Sequence, residues 1–151
     1  MTAELSIRAA TGEDTPFLVE MLALTLQTQP QFALKNPTER EGLARFEIIG
    51  WQPERDFAFV AWLEEARAGA VWLHAGGEIG ARAFTLGIAV LPQFQGRQIG
   101  TRLMEYALAF CHQHQGLTLG LKVHPTNERA IRLYRHFGFE PSLLEMKKRL
   151  S

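Results

Sequence analysis

Two short constellations carry residue types that could do chemistry. The first is Gln95-Gly96-Arg97-Gln98-Ile99-Gly100-Thr101, between an apolar run ending at Pro92 and a helical pattern beginning at Gly100. A helix N-terminus presents unpaired N–H groups and the positive end of the dipole, which favours phosphate. Glycine allows a diphosphate to approach the backbone closely. Gly96 and Gly100 with Thr101 therefore read as a phosphate cradle, with the Arg97 charge at its mouth. The alternative is a turn that is merely tight. The stretch has neither the lysine of a P-loop nor the G-x-G-x-x-G of a dinucleotide fold. The second constellation lies on the helical stretch NERAIRLYRHFGF. Asn127 and Tyr134, seven residues apart, share one helical face with Ala130 between them. That face is polar at both ends and small in the middle, as a surface for an extended ligand would be. The alternative is an N-cap asparagine and a packed tyrosine.

The elements that must position these residues follow from periodicity. ELSIRAA alternates as a strand, and Thr11 with Asp14 forms a capping-box pattern. Phe17, Leu18, Met21, Leu22 and Thr25 mark the inner face of a first helix. Asn36–Pro37 opens a second helix through about Ile49, with Leu43 and Phe46 expected inward. DFAFVAWLEE and AGAVWLHAG read as strands joined by a charged turn, and ARAFTLGIAVL as another strand ending at Pro92. The next helix carries Leu103, Ala107 and Cys111 on one stripe, with Met104 and Leu108 beside it and Gly116 as its C′ stop. LTLGLKVH is a strand, NERAIRLYRHFG a helix closed by Gly138, and FEPSLLEMKKRL a strand with a turn at Pro141–Ser142. The expected architecture is one α/β domain spanning residues 1–151, a mixed sheet with helices on both faces.

Composition limits the function classes. The 151 residues are 46% apolar and 21% charged, with sixteen basic and sixteen acidic side chains. That balance argues against broad nucleic-acid binding. No apolar run reaches the roughly 20 residues of a membrane span. The N-terminus has no secretory pattern and Cys111 is the one cysteine, so a cytoplasmic protein is expected. His112 and His114 stand two apart on a helix, whereas helical metal pairs prefer i, i+4, so no metal is expected. Trp51, Trp62 and Trp72 read as core or rim residues.

Taken together, the two constellations resemble the GNAT acetyltransferases, which move an acetyl group from acetyl-CoA to an amine. In that family a strand ending near Pro leads into (Q/R)-x-x-G-x-(G/A), and a later helix reads N-x-x-A-x-x-L-Y-x-x-x-G-F. Gln95 to Gly100 match the first motif, except that Gln98 stands where its first glycine belongs. Asn127, Ala130, Leu133, Tyr134, Gly138 and Phe139 match the second throughout. The resemblance implies a mostly antiparallel sheet with a splayed central strand pair. It implies CoA pyrophosphate on the N–H groups of about Gly96 to Thr101, and pantetheine along the edge at Ile88, Ala89 and Val90. Asn127 would touch that arm, and an N–H near Val90 would face the thioester carbonyl. Tyr134 becomes the general acid for the departing thiolate. Glu78 and His74 are the candidate bases, each alternatively an ordinary surface residue. Arg132, Arg135 and His136 are either near the CoA 3′-phosphate or a solvated helix end, the latter favoured. The implied partners are acetyl-CoA and an amine: a small molecule, a peptide N-terminus or a lysine. A homodimer is compatible with this reading. The alternative function is a CoA-binding module of the same fold without turnover.

Overall fold

A computed structural model of the chain describes residues 4–27, 35–76 and 82–150. In order the elements are β1 (Leu5–Ala9), α1 (Thr15–Gln27), α2 (Pro37–Ile49), β2 (Asp56–Leu63), β3 (Ala66–Gly76), β4 (Ala83–Val90), α3 (Ile99–Gln113), β5 (Thr118–Gly120) and α4 (Glu128–His136). Single 3₁₀ turns, Gly12–Asp14 and Pro92–Phe94, precede α1 and α3. The strands form one sheet in sequence order, antiparallel throughout except for the parallel β4–β5 pair. The expected mixed, mostly antiparallel sheet with helices on both faces is what the chain builds.

Alternation along the strands sorts the core into two layers. Phe59, Ala61, Val71, Leu73, Phe84 and Leu86 face α3 and pack with its Leu103, Met104, Ala107 and Cys111. Val60 and Ala70 face the opposite way and meet Phe17, Leu18 and Met21 of α1. Ala44 of α2 completes that side against Val19 and Leu22. Each fully buried Leu or Met contributes roughly 1.5–3 kcal/mol, so these stripes decide which helix covers which face. Thr11 and Asp14 form the expected cap, the Thr11 N–H donating to Asp14 Oδ2 at 2.8 Å.

The β2–β3 hairpin turns on Glu64 and Glu65 and contains a bulge. Trp62 pairs with Arg67 but Ala61 pairs with Gly69, so Ala68 has no partner on β2, while its carbonyl accepts the Leu91 N–H at 2.9 Å. The extra residue shifts the register of everything beyond it by one. Asp56 therefore lies opposite His74.

Four expectations are corrected. Leu43 and Phe46 do not point inward; they are exposed, and α2 buries Ala44 instead. A helix packed at the rim of a layer can bury a single small residue and leave the next stripe in water. The αL residue that ends α3 is Gln115 (φ 58°) rather than Gly116, and Gly116 donates to Cys111 O at 2.8 Å. LTLGLKVH forms only the three-residue β5, because its pairing to β4 stops at Thr85↔Gly120. FEPSLLEMKKRL forms no strand; a strand needs a partner, and no pairing to β5 is made along it. Among the described residues, no helix is long and apolar enough to cross a membrane.

Candidate functional site

The site begins where β4 ends. Pro92 starts a 3₁₀ turn, after which the chain must reverse into α3 within a few residues. Two residues there adopt left-handed backbone: Gly96 at φ 81° and Gln98 at φ 61°. Gly96 does so without cost. Gln98, the N-cap of α3, keeps the glycine-type conformation although it carries a side chain. The first helical bond belongs to Arg102 N–H, which donates to Gln98 O at 3.1 Å. The N–H groups of Ile99, Gly100 and Thr101 precede it and point out of the helix end. The guanidinium of Arg97 rests 5.9 Å from the Phe94 ring centroid.

Beside this turn, β4 has an open edge. On one side it pairs with β3 through Val90. On the other it pairs with β5 only from Ala83 to Thr85. Among the described residues, Leu86 to Val90, Ile88 and Ala89 included, thus have no strand partner on that side. Helix α4 closes in from the same layer. Tyr134 joins the α3-side core, and a methyl placed on Gly100 would lie 3.7 Å from Leu133 Cδ2 and 3.9 Å from Val90 Cγ2. Gly100 is therefore the meeting point of the turn, the strand end and the last helix. Gln95 ties the same parts together. Its Nε2 reaches Val90 O at 3.5 Å, and its Oε1 accepts from Arg129 Nη1 at 3.1 Å. Arg129, which spacing did not single out, thus adds a second guanidinium near the turn. Its signal was present only as a basic residue in the first turn of α4.

On α4 the candidate residues form a half-buried stripe, Asn127, Ala130 and Tyr134, while Glu128, Arg129, Arg132, Arg135 and His136 are exposed. Asn127 is the N-cap, its Oδ1 accepting from Ala130 N at 3.3 Å. Its amide NH₂ remains available as a donor. Gly138 takes φ 90° and ends the helix as a Schellman motif, with Gly138 N–H on Arg135 O and Phe139 N–H on Tyr134 O, both at 3.0 Å. Burial pushes the Tyr134 phenol up from its ordinary value.

On the opposite face of the sheet, His74 and Asp56 form a dyad. His74 Nδ1 lies 2.8 Å from Asp56 Oδ1, and Gln52 N–H donates to Asp56 Oδ2 at 2.7 Å. Glu47, at the end of α2, is close enough to feel both. Desolvation pushes its carboxyl up, Asp56 pushes it further, and His74 pulls it back. Spacing singles out His74 but neither Asp56 nor Glu47, because it does not reveal a neighbour brought in by another strand or helix. Glu78, the other candidate base, lies outside the described residues.

The remaining candidates fall into structural roles. His114 Nδ1 lies 2.9 Å from Phe110 O, with its ring stacked 4.0 Å from that of Phe110. Trp51, Trp62 and Trp72 pack at the edge of the α1-side core. Trp72 lies so close over Gly87 that a Cβ there would be 2.1 Å from its Nε1, so only glycine fits. Burial pushes the Cys111 thiol up to about 11.

Residues 20–139 match the model of the Acetyltransferase (GNAT) family. No curated protein matches the sequence significantly. Among solved structures, a provisionally assigned acetyl transferase from Pyrococcus furiosus is similar at 21% identity and a TM-score of 0.80, covering 97% of this chain and 100% of that one. A ribosomal-protein-alanine N-acetyltransferase from Brucella melitensis biovar Abortus 2308 gives 19% identity and 0.71, with 98% and 100% coverage. The aminoglycoside N-acetyltransferase AAC(6')-Iy in complex with CoA gives 16% and 0.71, with 99% and 96% coverage.

Proposed function

The chain belongs to the GNAT acetyltransferase family, and on that premise we propose that it transfers an acetyl group from acetyl-CoA to a primary amine by direct attack in a ternary complex. The observation that carries this reading is the open edge of β4, Leu86 to Val90, which ends at a turn of unbonded N–H groups. An extended amide-bearing arm can hydrogen-bond to such an edge as an added strand. Its diphosphate would then meet the N–H groups of Gly96 to Thr101, with Arg97 and Arg129 supplying positive charge. Gln98, Ile99 and Gly100 contribute backbone there, and Gln95 holds the strand end. Ile88, Ala89 and Val90 would line the arm on one side, and Asn127 and Ala130 on the other.

Each chemical requirement has a candidate. An alkylammonium, with an ordinary pKa of about 10.4, must lose a proton before it attacks. His74 is the described residue proposed to take it. The departing thiolate needs a proton, and Tyr134 is proposed to give one. Burial favours its neutral form, so the phenol carries that proton at neutral pH. The one cysteine, Cys111, is buried with its thiol pushed up to about 11. A thiol so placed is a poor acyl carrier, which supports direct attack over an acyl-cysteine.

The two similar proteins named for their acceptors, a protein alanine and an aminoglycoside, set the arms of the test. Purified protein is incubated with acetyl-CoA and either amino sugars, peptides with free N-termini or lysine-bearing peptides. Release of the CoA thiol and the acetylated product are both measured. Amine-dependent release in one arm is the expected result. CoA binding by calorimetry with no release in any arm would favour a binding module without turnover. Absence of CoA binding would overturn the proposal.

A further inference from the structure

We propose that Asp56 is the positioning residue for His74, fixing the imidazole in the tautomer that carries its proton on Nδ1 and leaves Nε2 free to accept one from the acceptor amine. The inference rests on the reading of His74 as the base and adds the residue that makes it one.

The dyad is built by the sheet. Asp56 opens β2, His74 lies two residues before the end of β3, and the register sets them opposite one another. The next strand continues the row, since His74 pairs with Thr85. Thr85 is also the last residue of β4 paired to β5. His74 therefore stands one strand, roughly 5 Å, from the point where the β4 edge opens. Its ring lies on the α1–α2 face, the face away from α3. An acceptor entering from that side would meet the imidazole before the open edge.

Hydrogen bonding then decides the tautomer. The Asp56 side chain is only 9% exposed, and both its oxygens are engaged. Oδ2 accepts from Gln52 N–H at 2.7 Å and Oδ1 faces His74 Nδ1 at 2.8 Å. An ionised carboxylate only accepts, so Nδ1 must carry the hydrogen, and Nε2 holds the lone pair. The His74 side chain is 48% exposed. Residue 76 is glycine; a Cβ there would crowd Nε2 and Cδ2 at 3.3 Å. Among the described residues no hydrogen bond engages Nε2, and it is the nitrogen proposed to meet an acceptor or a bridging water. The balance of the step is simple. One proton passes from the acceptor ammonium to Nε2, and the resulting imidazolium lies against the Asp56 carboxylate. The amine nitrogen then attacks the thioester carbon as the C–S bond breaks; the nitrogen's second proton passes to solvent water, leaving the neutral amide, and the thiolate takes its proton from another group.

Asp56→Asn is the discriminating variant. The obligatory Gln52 N–H keeps the one amide oxygen, so the NH₂ turns to His74 Nδ1. Nδ1 must then accept, and the proton moves to Nε2. The tautomer is read on the protein alone by long-range ¹H–¹⁵N correlation of the neutral His74 ring. The expected result is Nδ1–H in the native protein and Nε2–H in the Asn variant. With the amine found in the acceptor screen, kcat should fall on the order of 10²-fold or more while CoA affinity is unchanged. The Asp56→Asn/His74→Gln double variant should be no slower than His74→Gln alone. Nε2–H in the native protein overturns the inference, even if the Asn variant fails to fold. So does an unchanged tautomer in a folded Asn variant. A switched tautomer with native turnover in both single variants removes His74 as base and the inference with it, yet leaves acetyl transfer standing.

Discussion

Tyr134 is held in place by Phe139. The Tyr134 carbonyl accepts the Phe139 N–H at 3.0 Å, and the two rings meet edge to face with centroids 5.9 Å apart. The left-handed Gly138 between them lets the chain fold back to make both contacts. The run from Tyr134 to Phe139 is therefore one device, which locks the ring of Tyr134 against the core; its hydroxyl is the group proposed to protonate the thiolate.

Removing only that hydroxyl, as Tyr134→Phe, keeps the ring contact with Phe139. As the proposed donor to the departing thiolate, that hydroxyl would matter when thiolate charge develops, so its loss should act on the transition state more than on binding. We expect kcat to fall about 10²-fold with acetyl-CoA affinity nearly unchanged, measured by steady-state kinetics and separate calorimetry. Native turnover in the Phe variant would reduce Tyr134 to packing.

Gln98 occupies left-handed backbone that a side chain disfavours by roughly 1 kcal/mol. Gln98→Gly should relieve that strain. The expected gain, after the extra unfolded-state freedom of glycine, is about 0–0.6 kcal/mol, or at most a few degrees in Tm. Backbone N–H groups would be unmoved, so CoA affinity should change less than about threefold. A lower Tm would show that the Gln98 side chain contributes more than its backbone costs.

Asn127 combines two roles that one substitution can separate. Its Oδ1 caps α4 through Ala130 N, while its NH₂ is the group proposed to meet the pantetheine arm. Asn127→Asp keeps an acceptor for the cap and removes the donor. We expect Tm to hold and CoA affinity to weaken by about 1–2 kcal/mol. Asn127→Ala should lose both. Equal CoA affinity in the Asp variant and the native protein would leave Asn127 a cap alone.

Asp14 links stability to pH. Burial by itself would raise its carboxyl. The Thr11 N–H and the Arg67 guanidinium, with the Thr11 hydroxyl, outweigh burial and hold it below its ordinary value. A depressed folded value means that this stabilisation is full above the unfolded carboxyl's pKa of about 3.9. It is lost as pH falls through the lower folded value. Asp14→Asn should therefore be less stable than the native protein by about 1–3 kcal/mol near neutral pH, with the gap shrinking below about pH 4. Urea unfolding at several pH values checks this; a gap that widens in acid would contradict the assignment.

The sequence by itself determined the elements whose signals are local. Alternation placed four of the five strands to within a few residues, and the 3.6-residue stripe of Leu103, Ala107 and Cys111 placed α3 against the core. Asn127 as a cap and Gly138 as a stop bounded α4, because caps act over a single turn. The turn at Gly96 to Thr101 and the Asn127–Tyr134 face were legible for the same reason. What only the tertiary structure decided depends on partners distant in the chain. Residues 121–124 form no ladder because pairing to β4 ends at Thr85↔Gly120, and alternation cannot say whether a partner is within reach. Phe46 has a helical spacing suited to burial yet stays exposed, because α2 meets its layer through Ala44. The pairing of Asp56 with His74 is the clearest case. Counted straight from the Glu64–Glu65 turn, His74 would face Arg55; the bulged Ala68 shifts the register by one and brings a carboxylate to the imidazole instead. A bulge is set by how two faces of a sheet pack at once, so its chemical consequence appears only when both faces are assembled.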